Sequence, residues 1–418
     1  MSEEVMREDL KMHFDYDDDQ IIELRHKIIE DIAHKSYPKI GKIKLENFHF
    51  DQLNVKYIKE EKVSVLPDEI KLKIDEEENT LVLKDGNIIF SNLDDEFKKV
   101  KIVSYYDAVN NNDEEALRIF KENFIKVDDD KLKRLNSAYQ NSALLIHIPK
   151  NVVVNEALKL HIIGQYSDLV HHTTIISEAS SEFTIVEKIH NFNSIKVNYV
   201  SEVRVDENAK LNYIGIDRLT EDTVAFIDRS GLVKDDGSLI YALGQLNDGN
   251  TVSNNVIKLI GKNAYCESRN VLFTDKESIH AITVNVEHLS PYSVGTITNH
   301  GIVKDNGVLH VDGIGKIHQG MNNSNSQQQT SIITLSDSAK VNANPYLLID
   351  EYDVQAGHGA GIGKVDEEQL YYLMSRGLSK KEAEKLIILG FLYPIIEMIS
   401  SDKIKTNFIQ TIEKKLSI

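Results

Sequence analysis

The chain has 418 residues, a formal net charge of −18, one cysteine and no tryptophan. That length suits two or three domains with a sizeable core. The acidic balance argues against a general nucleic-acid binder, which needs a basic surface, and against docking on anionic lipid. No apolar run reaches the ~18 residues of a membrane span, and the opening MSEEVMREDLKMHF lacks the apolar core of a signal peptide. One cysteine, Cys266, makes no internal disulfide and alone no cysteine-based cluster site. A cytoplasmic protein fits these limits.

In chain order, Ile21, Leu24, Ile28 and Ile32 recur at helical spacing behind the acidic Asp17–Asp19, and Pro38 closes the segment. Residues 40–140 alternate strand-like runs (VSVL, TLVL, NIIF) with a helix expected at 113–123. Residues 1–140 therefore read as a mixed helical and α+β region.

From about 142 the texture becomes β-rich. A motif recurs: alternating apolar residues, an Asp/Asn/Ser turn, a Gly or Ala, then renewed alternation. The turn ends are Ala209, Gly237, Ala264, Gly307 and Ala339, with gaps of 28, 27, 43 and 32 residues. Degenerate self-similarity of this length suggests stacked units, each burying against its neighbours the face it cannot bury alone. A parallel β-helix over 141–350 is the leading expectation, right-handed by the crossover rule. An antiparallel sandwich with hairpins at KDDG and KDNG stays open on these grounds.

Residues 351–418 read as a helical domain. Asp366 caps one helix, with Leu370, Leu373 and Met374 on one face and Gly377 then Leu378 at its end. Ser379 and Glu382 form a capping box for a second helix, with Ala383, Leu386 and Ile387 on one face and Gly390 as its stop. A last helix covers 403–416. Leu370, Leu373, Leu386 and Ile387 are expected to hold this unit on the β body. Its lysines and arginine are offset by Glu367, Glu368, Glu382 and Glu384, so it reads as a protein-docking surface rather than a DNA-binding helix-turn-helix.

The run Gly357-His358-Gly359-Ala360-Gly361-Ile362-Gly363-Lys364 invites a phosphate-loop reading. Both phosphate fingerprints fail on spacing: His358 stands five residues before Gly363, Val365 replaces the required hydroxyl, and no third glycine falls in register for G-x-G-x-x-G. The glycines are instead expected to let a tight turn present His358 uncrowded. Cys266 is expected to be a small buried hydrophobe. His280, His288, His300, His310 and His318 show no metal-binding spacing and are expected on the β surface.

Two longer stretches carry a resemblance. They are Asn344-Pro345-Tyr346-Leu347-Leu348-Ile349, and Asp353-Val354-Gln355-Ala356-Gly357-His358-Gly359-Ala360 with its continuation through Gly363-Lys364-Val365-Asp366, Ser375-Arg376-Gly377 and Glu382-Ala383. This signature resembles the SufB/SufD family of iron–sulfur assembly proteins, specifically at 344–391 and more loosely back to about 135. The SufB branch carries a cluster-building cysteine before the final strands. The corresponding SNSQQQTSIITL has Gln327, Gln328 and Gln329 and no cysteine, which resembles the SufD branch rather than a SufB-like cluster scaffold.

The resemblance implies a mainly β protein: a flattened right-handed parallel β-helix flanked by N- and C-terminal helical regions. It implies a non-catalytic scaffold that pairs with SufB through the β-helix, or with itself when isolated, and binds the ATPase SufC through the C-terminal helices. Tyr371, Arg376, Gly377 and Leu378 are the candidate SufC contacts. His358 is implied to face the SufB interface as a ligand to a nascent iron–sulfur cluster or metal, held transiently and shared with the partner. Some relatives have a cysteine two residues before this histidine; here it is Ala356. The alternative from another class is a polysaccharide-active β-helix enzyme. It is disfavoured by the absence of tryptophan platforms and of an export signal, and by acidic residues that sit mainly in turns.

Overall fold

Alternating apolar residues that must be buried on one side build two facing sheets from residue 80 to residue 364 of the chain. The computed structural model describes residues 14–416 apart from 15, 33, 39, 41–42, 75–76, 126–129 and 398–401. The leader-free reading of MSEEVMREDLKMHF falls mostly outside the described residues.

The ten-stranded sheet contains β1 (Thr80–Lys84), β2 (Asn87–Ser91), β5 (Leu158–Gly164), β7 (Glu182–Asn191), β9 (Lys210–Arg218), β11 (Ser238–Gln245), β13 (Tyr265–Thr274), β15 (Val294–Val303), β17 (Asn325–Thr334) and β19 (Gln355–Lys364). The nine-stranded sheet contains β3 (Lys101–Ser104), β4 (Ser142–Ile148), β6 (Leu169–Ser177), β8 (Lys196–Val205), β10 (Val224–Val233), β12 (Asn250–Leu259), β14 (Ile279–His288), β16 (Val308–Ile317) and β18 (Lys340–Ile349). From β4 to β19 successive strands alternate between the sheets, and each pairs in parallel with the strand two away. Two strands make one turn of coil, so the sixteen strands are eight turns of a parallel β-solenoid. The expected β-helix is present, and KDDG and KDNG are corners between turns rather than hairpins. The ladder runs on to Lys364, past the boundary expected at 350, because the glycine-rich run is itself a strand.

The irregular 43-residue gap has a geometric origin. Ala209, Gly237 and Ala264 lie on one edge of the solenoid, where the N–H groups of Ser238, Tyr265 and Val294 donate to their carbonyls at 2.8, 2.9 and 2.9 Å. Gly307 and Ala339 lie on the opposite edge, where Lys340 N–H donates to the Gly307 carbonyl at 3.0 Å. The gap is a turn and a half. Just before each turn end on the first edge stands a left-handed residue, among them Asn208, Asp236 and Asn263 at φ 56°, 55° and 58°. Asn and Asp tolerate that conformation better than most side chains, and their N–H groups reach the next turn at 2.9, 2.9 and 3.4 Å. At Gly307 a Cβ would stand 3.0 Å from both the Lys304 and Thr274 carbonyl oxygens, a tight fit; the equivalent corner one turn on carries a small Cβ at Ala339.

The core lies between the sheets, with residues such as Leu160, Ile185, Leu239, Ile257 and Val311 from both. At the N-terminal end TLVL and NIIF form the expected strands β1 and β2, paired antiparallel. VSVL does not: Val65 is exposed and Pro67 follows, and of that run only Val63 reaches the sheet edge, at Ile89 O, 2.8 Å. The helices of this part are α1 (Asp19–Ile32), α2 (Asp68–Lys71), α3 (Tyr105–Asn110), α4 (Glu114–Ile125) and α5 (Lys131–Tyr139). α1 and α5 cover the outer face of the nine-stranded sheet through Ile28, Ile32, Leu132 and Leu135 against Val200, Phe226 and Val252.

After β19 come α6 (Glu367–Ser375), α7 (Lys380–Ile396) and α8 (Asp402–Lys415). Ile388, Leu392, Ile395, Ile404, Phe408 and Ile412 bury themselves on the outer face of the ten-stranded sheet against Ile214, Val271, Phe273 and Ile302. Phe408 fits because Gly244 has no side chain; a Cβ there would stand 2.4 Å from its ring. Two expectations fail here. Leu386 is 53% exposed and α6 buries no residue, so the anchoring face is not the one expected. Gly390 does not stop α7, which continues to Ile396. A helical glycine costs about 1 kcal/mol against alanine, less than the burial of Leu392, Ile395 and Ile396 beyond it contributes. The Asp366 cap, the Ser379–Glu382 capping box and the Gly377 stop (φ 99°) form as expected.

Candidate functional site

The site develops where the solenoid ends. β19 is the last strand of the ten-stranded sheet and β18 the last of the other, so among the described residues no strand lies beyond the final turn. Gln355 N–H donates to the Ser324 carbonyl at 2.9 Å. Alternation then directs the N–H and C=O of Ala356, His358, Ala360, Ile362 and Lys364 to the open edge. On β18 Lys340 N–H pairs inward, so Val341, Ala343, Pro345, Leu347 and Ile349 face the open edge, and Pro345 brings no donor. Tyr346, Leu348 and Ile362 are about half exposed on this last turn. An unpaired edge beside exposed apolar side chains is a template for another chain.

The glycine run is thus an extended ribbon rather than the tight turn expected. Its odd-numbered amides are committed to β17, so it cannot curl N–H groups around a phosphate, in agreement with the failed spacing. Gly357, Gly359, Gly361 and Gly363 fall on one face. A Cβ on Gly357 would stand 2.5 Å from Gln327 Oε1, which marks that face as the outer one, shared with the exposed Gln327. His358 alternates to the inner side, in register with Gln328 of β17, whose side chain is buried. His358 itself is exposed because no further turn covers it. It tops an interior column that descends through Gln328, Ile297 and Ser268 to Tyr241.

The other singled-out residues lie apart. Cys266 is buried on β13, and burial pushes its thiol up to about 12, so it is neither an available nucleophile nor a ready thiolate ligand. His280, His288 and His310 are buried, contrary to expectation, because their strand positions face inward or sit under neighbours; His300 and His318 are half-buried. His300 Nδ1 donates to the Phe391 carbonyl at 2.8 Å, and Arg269 Nη1 to the Pro394 carbonyl at 3.0 Å, which ties α7 to the sheet. Among the described residues no group of three or more His, Cys, Asp or Glu could hold a metal ion. Tyr371 is 77% exposed, Arg376 and Gly377 are exposed and Leu378 is half-buried. Arg376 Nη2 donates to the Tyr372 hydroxyl at 3.2 Å. Sequence reasoning missed Gln328, although alternation through SNSQQQTSII carries the signal: only the middle glutamine shares a face with Ile332.

Comparison with known proteins identifies the family. Residues 161–391 match the family model described as "SUF system FeS cluster assembly, SufBD core domain". The chain is 33% identical over 407 residues to the iron-sulfur cluster assembly protein SufD of Bacillus subtilis, covering 94% of this chain and 93% of that protein. It is 24% identical over 321 residues to an iron-sulfur cluster assembly SufBD family protein of Staphylococcus saprophyticus, covering 74% of this chain and 68% of that protein. Among the described residues no helix is long and apolar enough to cross a membrane. The chain belongs to the SufB/SufD family of SUF-system iron–sulfur cluster assembly proteins, on its SufD branch.

Proposed function

We propose that this chain is a non-catalytic scaffold subunit of a cytoplasmic SUF complex, pairing with SufB through the open end of its solenoid and binding the SufC ATPase through α6 and the start of α7. The observation that carries the reading is the last turn: unpaired main-chain groups, exposed apolar side chains and one imidazole converge where a second SufBD-type solenoid can add its own edge strand. Main-chain hydrogen bonds between extended edges supply affinity, and side chains flanking them supply selectivity. An imidazole nitrogen is a good iron ligand and replaces cysteine in some clusters. His358 supplies one ligand to a nascent cluster, which is cargo; the partner supplies the others. The SufC assignment draws on α6, which has no fully buried residue and leaves Tyr371, Met374 and Arg376 exposed. Co-expression with tagged SufC and SufB tests the reading. Retention of all three chains through affinity purification and gel filtration is expected; elution of this chain alone contradicts it.

A further inference from the structure

The two ends of the solenoid are unlike. At the open end every residue of β19 except the half-buried Gly357 is exposed. At the other end the outermost strand of the same sheet is β2, whose Asn87, Ile88, Ile89 and Phe90 are 7, 7, 3 and 7% exposed. Three features close that end. Each sheet finishes in a strand of reversed direction, β2 antiparallel to β1 and β3 antiparallel to β4, so the parallel ladder stops there. Leu66, Ile70 and Ile74 pack with Ile89 and Phe90. The segment 54–63 then crosses the edge as a strap. Asn54 N–H donates to Asp168 Oδ2 at 2.7 Å, Asn87 Nδ2 to the Ile58 carbonyl at 2.7 Å and Val63 N–H to the Ile89 carbonyl at 2.8 Å, and Lys84 pairs with Glu60. Lys59, Glu61 and Lys62 of the strap face solvent. Charged residues and covering segments blunt a terminal strand against pairing, and stacked-repeat proteins need ends closed in this way.

We infer that the strap 54–63 and the β1–β2 hairpin are an assembly-limiting cap: they confine docking to the open end, so association stops at two solenoids. With a bare strand at both ends, the open end of one copy docks on the N-terminal end of the next. That head-to-tail contact does not close and grows into filaments. The inference rests on the reading of the open end as the docking face, and it gives the N-terminal region a role in that assembly.

The test follows the size of the isolated full chain by sedimentation velocity over a wide concentration range. The wild type is expected to stop at two chains or fewer. Glu60→Lys combined with Val63→Pro and Asn87→Ala removes three ties of the strap. This variant is expected to exchange amide hydrogens faster across residues 86–91 and to form species that grow beyond two chains with concentration. Adding Ala360→Pro, on the open edge, is expected to abolish that growth. Growth beyond two chains in the wild type overturns the inference, as does a loosened chain that keeps the wild-type size. Growth that survives Ala360→Pro, or exchange across 86–91 unchanged by the three substitutions, overturns it too. If the triple variant does not fold, Glu60→Lys alone is read by the same criteria. The parent reading fails separately, by SufB pairing that stays intact in the single variant Ala360→Pro.

Discussion

The Arg229 guanidinium meets the Asp217 carboxylate across the interior of the solenoid at 2.7 and 3.2 Å, with neither side chain more than 4% exposed. Glu187 joins at 3.2 Å and also accepts from the hydroxyls of Tyr199 and Tyr213. Burial raises the Glu187 carboxyl and Arg229 opposes that rise. Removing one partner from such a set strands a buried charge, which costs about 3–5 kcal/mol. Arg229→Met is therefore expected to lower unfolding stability by that amount in a denaturant titration. A change below about 1 kcal/mol would show that the carboxylates are reached by water.

Acid should weaken the fold through its buried histidines. Burial lowers His280 to about 4 and His288 to about 4. His280 is held neutral between Thr274 and the Gly249 carbonyl, both at 3.0 Å, and His288 bonds Ser293 at 2.8 Å. The unfolded chain takes up these protons near the usual value of about 6.5, the folded chain only near 4. Stability is thus full above about 6.5 and falls as pH drops towards 4, by roughly 2 kcal/mol per histidine at pH 5. Denaturant midpoints across that window check the slope; a flat profile contradicts it.

The docked face of α7 can be told from its free face. Leu392→Ala empties a packed site and is expected to cost about 2–5 kcal/mol. Leu386→Ala, at an exposed position, should stay within about 0.5 kcal/mol. Equal losses in thermal melts would mean that α7 packs on a different side.

Arg376→Glu reverses an exposed charge whose hydrogen bond is to the Tyr372 hydroxyl. SufC binding measured by calorimetry is expected to weaken by tenfold or more, with the thermal midpoint nearly unchanged. Wild-type affinity would remove Arg376 from the contact.

Ala360→Pro deletes a donor that faces the open edge and breaks no bond to β17. The isolated chain should melt as the wild type does, while pairing with SufB falls sharply in a pull-down. Intact pairing would place the partner elsewhere.

Much of this was legible in the residues. Alternation and corner residues made a solenoid the leading expectation while leaving an antiparallel sandwich open, and the phosphate spacing failed for a reason the ribbon geometry explains. The 43-residue gap obscured the period because a corner motif can jump between two edges that are a half-turn apart. LIILGFLYPII is apolar on nearly every side, so periodicity cannot choose which stripe of α7 docks. A histidine in a strand carries no mark of its face until the register is known, so spacing alone puts His280 and His288 on the surface where the structure buries them.

His358 is where the account can fail most directly. The ring is exposed on the last turn, so His358→Ala should change stability by no more than about 0.5 kcal/mol. The complex with SufB and SufC should still assemble, since one imidazole is a small part of an extended edge. The deciding measurement is iron and acid-labile sulfide in that complex purified from cells carrying His358→Ala. A sharp fall in both, with all three chains still present, is the predicted result. Wild-type iron and sulfide would contradict a ligand role for His358.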